Sequence, residues 1–214
     1  MDIKSINTRE LSRGILHVRI IKVDSPSLIW IQLYHAREDL KELIEDLTRQ
    51  MARRGRGLIL NPDHALPDAY VAVQEGRTWQ RGVIINLEGK DTVTVALRDW
   101  GRVIRRPVTD MYILEDRFRE LNWQAIPCGL AHLRPVGARS RWSRNSRALT
   151  RLLLGRREGW MQILEPIENY AAIITLELKR ESEDETSSLK DLLFSMGCAL
   201  HTDAKAVPTI PGIL

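Results

Sequence analysis

Residues 70–108 read YVAVQEGRTWQRGVIINLEGKDTVTVALRDWGRVIRRPV. The stretch falls into four runs, YVAVQE, TWQRGVIINL, TVTVALRD and RVIRRPV, divided by Gly76-Arg77, Glu88-Gly89-Lys90-Asp91 and Trp100-Gly101. β-Branched and aromatic residues suit a half-buried pleat, and glycine beside a polar residue supplies the backbone angles of a tight turn. Four short strands with such turns predict a small, strongly bent barrel.

The flanks have a different character. Residues 15–34, ILHVRIIKVDSPSLIWIQLY, read as a hairpin around the turn-forming Asp24-Ser25-Pro26-Ser27. In REDLKELIEDLTRQMARR (37–54), Leu40, Leu43, Ile44, Leu47 and Met51 make one apolar stripe, so a helix is expected, ended by Gly55 and Gly57. After the barrel, TDMYILEDRFREL (109–121) predicts a helix with Met111, Leu114, Phe118 and Leu121 on one face. WQAIPCGLAHLRPV predicts a strand broken near Pro127. SRNSRALTRLLLG predicts a helix capped by Ser143 or Asn145 and stopped by Gly155. WMQILEPI and YAAIITLELK pair around Glu168-Asn169, and ETSSLKDLLFSMG is a last helix capped by Ser187 or Ser188. Neither flank alone has enough strands to close a sheet. The barrel (58–110) is therefore expected as an insert in a split outer domain (15–57 and 122–200), with a linker helix (111–121) and a flexible tail (201–214).

Composition sets the broad class. With 43% apolar and 28% charged residues the chain is that of a globular protein. No apolar run approaches the roughly 20 residues of a membrane span, and MDIKSINTRELSRG lacks a signal peptide's apolar core. Cys128 and Cys198, each in an apolar stretch, read as reduced core thiols. The five histidines are dispersed, without metal-ligand spacing, and no phosphate loop or nucleophile elbow occurs. No enzyme, cofactor or metal is expected. Charge is uneven: residues 131–160 carry eight arginines against one acid, Glu158. Such a stretch is either a solvated helix face whose arginine stems cover apolar surface, the favoured reading, or a phosphate-tracking face for RNA using Arg139, Arg141, Arg144, Arg147 and Arg151.

The order of these words resembles the extended Tudor domain of germline piRNA-pathway proteins over about residues 15–200. VDSPSLIWIQL is similar to that family's opening strand pair, EGRTWQRGVI to its acidic-glycine turn before a tryptophan, and VTVALRDWGRV to its strand ending in aspartate, aromatic and glycine. LNWQAIPCGLAHLRPV resembles its return strand and RWSRNSRALTRLL its tryptophan-serine helix. The resemblance implies a mainly β, α+β fold: an SH3-like Tudor barrel inserted into a split, staphylococcal-nuclease-like OB-fold and joined to it by a linker helix. It implies a non-catalytic adaptor that binds the arginine- and glycine-rich N-terminal tail of a Piwi-clade Argonaute, methylated or not, in transposon silencing. It places the protein in cytoplasmic, perinuclear germ granules (nuage). Other Tudor proteins or self-association are further partner readings.

In that family a cage of aromatic rings holds a dimethylated guanidinium by cation–π contact, worth about 0.5–2 kcal/mol per ring. The four cage positions fall here on Val73, Gln80, Leu97 and Trp100, and the orienting asparagine on Arg102. With one ring of four, the cage has decayed, and binding independent of methylation is expected. Asp99 either pairs with the ligand or braces the turn backbone. Glu75 and Glu115, with Asp116 and Glu120, are candidates for an acidic groove that grips unmethylated arginine. Val73 and Leu97 form a shallow apolar floor or barrel packing, and Trp79 is expected in the core.

Overall fold

The computed structural model describes residues 2–11, 14–89, 91–137, 141–155, 157–178 and 187–203. The turn residue Lys90, the candidate RNA contact Arg139, residues 185–186 of the last helical stretch and the tail from 204 onward lie outside them.

Strands β1 (Leu16–Ser25) and β2 (Leu28–Leu33) form the expected hairpin, with Ser25 opposite Leu28. Helix α1 (Arg37–Arg54) buries Leu40, Ile44, Leu47 and Met51. The barrel strands follow as β3 (Tyr70–Glu75), β4 (Thr78–Glu88), β5 (Thr92–Leu97) and β6 (Arg102–Pro107), then a short β7 (Tyr112–Ile113). Beyond them run β8 (Ile126–Leu130), β9 (Leu133–Arg134), α2 (Arg144–Leu154), β10 (Glu158–Ile167) and β11 (Ala171–Leu178). The described residues end with β12 (Ser187–Ser188), α3 (Leu189–Ser195) and β13 (Leu200–His201). The Ser143 hydroxyl caps α2 by accepting from the Ser146 N–H at 3.0 Å.

The described residues divide into two compact units, 2–4 with 36–124 and 5–35 with 125–203. In the first, the sheet order is β6-β5-β4-β3-β7, all antiparallel. One face encloses Val71, Val73, Ile84, Val93, Val95 and Leu97. Helix α1 packs here through Leu47 and Met51, beside Ala72, Leu114, Phe118 and Trp123. This unit thus takes in residues 36–57, which the sequence reading gave to the outer domain (15–57 and 122–200).

In the second unit β1, β2, β8, β11 and β10 pair in a ring, since β10 pairs both β11 and β1. Only the β8–β11 pairing is parallel. Val18, Ile20, Ile29, Ile31, Ile174 and Met161 are among the buried side chains of these strands. Burial pushes the Cys128 thiol up from its ordinary pKa, which makes it a packing residue and not a nucleophile. Both cysteines are free, as expected.

Three sequence expectations are corrected. No α-helix forms over 111–121. Met111 packs in the barrel core and its carbonyl accepts from the Leu60 N–H, Tyr112 and Ile113 pair with β3, and only a single 3-10 turn, Asp116–Arg119, follows. The strand through Pro127 does not break there. At Pro127 only β2 is paired, a place where a missing N–H costs no second ladder bond, and the chain turns at His132, with φ +59°. Ser187 and Ser188, the expected cap residues, pair with β11 through their backbone, and His201 pairs with Leu133, so the segment from 201 starts as a strand and not as a flexible tail.

Gly159 of β10 lies between β1 and β11, and a Cβ built there would stand 2.4 Å from the Glu177 carbonyl oxygen. Backbone cannot yield as a side-chain tip can. Gly159→Ala is expected to lower stability by about 1–3 kcal/mol in thermal unfolding. An unchanged midpoint would show that the two strands can separate freely.

Candidate functional site

Two turns meet at one end of the barrel. Gly76 adopts φ +63° between β3 and β4. Between β5 and β6 the Trp100 N–H donates to the Leu97 carbonyl at 3.0 Å and Gly101 adopts φ +59°. An open cavity of about 410 Å³ lies between the turns, lined by Glu75, Gly76, Thr78, Gln80, Trp100 and Arg102.

One aromatic wall is fixed there. Trp100 Nε1 donates to Gln80 Oε1 at 2.7 Å, and Gln80 Nε2 donates to Thr78 Oγ1 at 3.1 Å. The opposite wall carries charge that is already matched. Glu75 accepts from Arg102 Nη2 at 3.0 Å and, through its other oxygen, from Arg106 Nη2. Glu75 is mostly buried while the Arg102 side chain is half exposed. A second cavity of about 360 Å³ adjoins at Gly76, walled by Arg106 and by Trp79 and Tyr112, whose rings meet edge-on at 4.8 Å. Trp79 is half-buried: it packs against the core cluster of Leu47, Met51 and Trp123, as expected, and also walls this cavity.

Behind Trp100 stands a guanidinium with no exposure at all. Arg81 donates from Nε to Asp99 Oδ2 at 2.7 Å and from Nη2 to Asp99 Oδ1 at 2.9 Å. Its Nη1 donates to the carbonyls of Phe118 (3.0 Å) and Leu121 (2.6 Å), and Nη2 also to that of Asn122 (2.7 Å). Five N–H donors are thus met by five acceptors, so the cation carries no unmet donor into the interior. Asp99 Oδ1 accepts a further bond from the Gln124 N–H at 2.9 Å.

Four of the eight sequence candidates converge on the cavity: Glu75, Gln80, Trp100 and Arg102. Leu97 is fully buried barrel packing, and Val73, 1% exposed, packs beside it. Asp99 braces the turn through Arg81. Glu115 is elsewhere, accepting from Gln50 Nε2 at 2.5 Å and facing Arg117 at 3.5 Å, while Asp116 pairs with Arg119. The acidic groove expected from Glu75, Glu115, Asp116 and Glu120 is not gathered at this cavity. Sequence reasoning missed Thr78, Arg81 and Arg106. Arg106 had a signal, since it shares a strand face with Arg102, whereas Arg81 had none beyond its place in the TWQRG word. Among the described residues no group of three or more His, Cys, Asp or Glu side chains could hold a metal ion, and no helix is long and apolar enough to cross a membrane.

Comparison with known proteins decides the family. Residues 15–132 match the sequence model of the Tudor domain. The chain belongs to the Tudor domain family. Tudor domain-containing protein 5 of cattle (Bos taurus) is 31% identical over 120 residues, covering 52% of this chain and 12% of the cattle protein. The chain thus spans a small part of the curated relatives it matches. Among solved structures, the extended Tudor domain TD3 of mouse TDRD1, in complex with a MILI peptide containing dimethylarginine, superposes with a TM-score of 0.82 at 16% identity, covering 94% of this chain and all of that one. A variant of the Drosophila melanogaster Papi extended Tudor domain, in complex with an unmethylated Piwi N-terminal peptide, gives 0.75 at 18% identity, covering 88% and 100%. This Tudor chain has the extended Tudor fold, mixed α and β with strands predominating.

Asp99→Ala would leave the Arg81 guanidinium buried without a counter-ion. The expected loss is about 3–5 kcal/mol, read as a lower urea midpoint. Asp99→Ala with wild-type stability would mean that the three carbonyls suffice to hold the cation.

Proposed function

We propose that this chain is a non-catalytic adaptor that takes an arginine-rich peptide at the Trp100 cavity, with little regard for arginine methylation. One observation carries the reading: the cavity has a single ring, held by Gln80, and its other walls are polar. A dimethylated guanidinium gains from methylation only where apolar faces enclose its methyl groups. Here the ring offers one stacking face, and the second lone pair of Gln80 Oε1 and the Thr78 hydroxyl offer hydrogen bonds that an unmethylated guanidinium fills better. The ligand cation competes with Arg102 for Glu75. Arg102 is half exposed, and an ion pair of that kind is worth only about 0–1 kcal/mol, so displacement is cheap.

Support for the partner comes from relatives. Extended Tudor domains of this fold have been solved with methylated and unmethylated arginine peptides, including a Piwi N-terminal peptide. The proposed partner is accordingly the arginine- and glycine-rich tail of a Piwi-clade Argonaute, within piRNA-mediated transposon silencing in perinuclear germ granules. The strand ring β1-β2-β8-β11-β10, with its single parallel pair, supports reading the second unit as an OB-type barrel that the Tudor barrel interrupts.

Calorimetric titration with one arginine-rich peptide, unmethylated and symmetrically dimethylated, tests this. The two affinities should agree within a factor of about three, as one partial ring contact allows. Trp100→Ala should abolish binding of both forms. Arg102→Asn should tighten both by up to about fivefold, since it removes a competing cation. A large gain on methylation in the native chain would overturn the proposal.

A further inference from the structure

We infer that helix α2 and the β1–β2 hairpin form a second binding site, which takes single-stranded nucleic acid. Residues 131–157 carry eight arginines and no acid. On α2, Arg144, Arg147 and Arg151 follow i, i+3, i+7 and so share one face, with steps of about 4.5 and 6 Å along the axis. Two of the three are laid down on β1: Arg147 Nε donates to the Asp24 carbonyl at 3.1 Å and Arg151 Nε to the Val23 carbonyl at 3.3 Å. Backbone carbonyls do not neutralise a guanidinium, so both keep their charge. Arg141 and Arg144 are exposed, and among the described residues no acid pairs with either.

A row of solvated arginines would stop there. What sets this one apart is a cavity of about 530 Å³ between α2 and the hairpin, lined by Ser25, Ser27, Leu28, Arg141, Trp142 and Arg147, together with Asp24. Trp142 is half buried, and its Nε1 donates to Ser27 Oγ at 2.6 Å, which fixes an indole among the cations. The acid that faces this space is already satisfied: Asp24 Oδ2 accepts from Lys22 Nζ and from Trp30 Nε1, both at 2.9 Å. A further cavity of about 290 Å³ shares Asp24 and runs along β1 past Lys22 and Arg151 to Gly155. A fixed ring beside a cationic track matches what an unpaired strand needs, a face for a base and cations for its phosphates. A double helix offers no free base to Trp142, and an acidic peptide has no use for a ring.

Fluorescence anisotropy of labelled oligouridine and oligothymidine with the whole chain, at a series of salt concentrations, tests the inference. Both should bind, with affinity falling steeply as salt rises. A preference for oligouridine would identify RNA as the natural strand, and equal binding would identify the shared phosphate-and-base chemistry. Arg141→Gln with Arg144→Gln should reduce the slope of log affinity against log salt by about 1.4, two contacts at roughly 0.7 each for single strands. Arg141→Lys with Arg144→Lys should restore it. Trp142→Ala should weaken binding at least tenfold with little change of slope, while Trp142→Phe keeps most of it. The idea is overturned if neither strand binds, if the glutamine pair leaves the slope unchanged, or if polyglutamate competes as well as oligouridine. Because no tested residue belongs to the Trp100 cavity, arginine-peptide titration of the same variants separates loss of fold from loss of this site.

Discussion

The buried Arg81 guanidinium is the constraint on which the rest of the barrel unit depends. It belongs to β4, yet none of its five bonds ends on the neighbouring strands' ladders. Two go to the carboxylate in the β5–β6 turn and three to carbonyls of residues 118–122. A charge this deep is tolerated only when every donor is met, and the acceptors lie at sequence separations of 18 to 41 residues. Their convergence sets the turn that carries Trp100 and the path of the chain beyond the barrel. The stretch 111–121 does not become an α-helix because its first residues are taken by the barrel: Met111 packs in the core and Tyr112 and Ile113 pair with β3.

Legibility from sequence followed the range of the interactions concerned. Helix α1 was readable to the residue, because its stripe from Leu40 to Met51 and the glycines after it are local signals. The cap of α2 at Ser143 and the strands between glycine turns were readable for the same reason. The Arg81 cluster was not, since TWQRGVI looks like any strand with a solvent-facing arginine. Nothing in a one-dimensional pattern marks three carbonyls forty residues away. The parallel pairing of β8 with β11 was equally hidden, being set by closure of the ring and not by either strand's composition. At the site, Trp100 and Gln80 were found by their place in a word. Leu97 and Asp99 have the right place in the word but the wrong depth: both side chains are fully buried, and only coordinates reveal that.

The state of Glu75 bears on how such a cavity discriminates. A free carboxylate on a barrel rim would draw any cation. One already bonded to Arg102 and Arg106 draws only a ligand that adds something more, here a ring face and the Gln80 and Thr78 groups. The internal arginines lower affinity for isolated cations while leaving the geometry that orients a guanidinium intact. Specificity then rests on the sum of stacking and directed hydrogen bonds, each modest, and not on net charge.

Arginine appears in this chain in three physical states, and the partner decides which. Arg81 has a carboxylate and three carbonyls and is structural. Arg102 and Arg106 share one carboxylate and tune a cavity. Arg141 and Arg144 have no acid among the described residues and keep their field for something outside the fold. A count of basic residues cannot separate these states, because the formal net charge of +4 conceals where acids run out. They run out between residues 131 and 157, where the one fixed indole in the stretch lies beside an open cavity. The 2.6 Å bond to Ser27 holds that ring in place beside the unmatched charge, and the proposed second site rests on the two together.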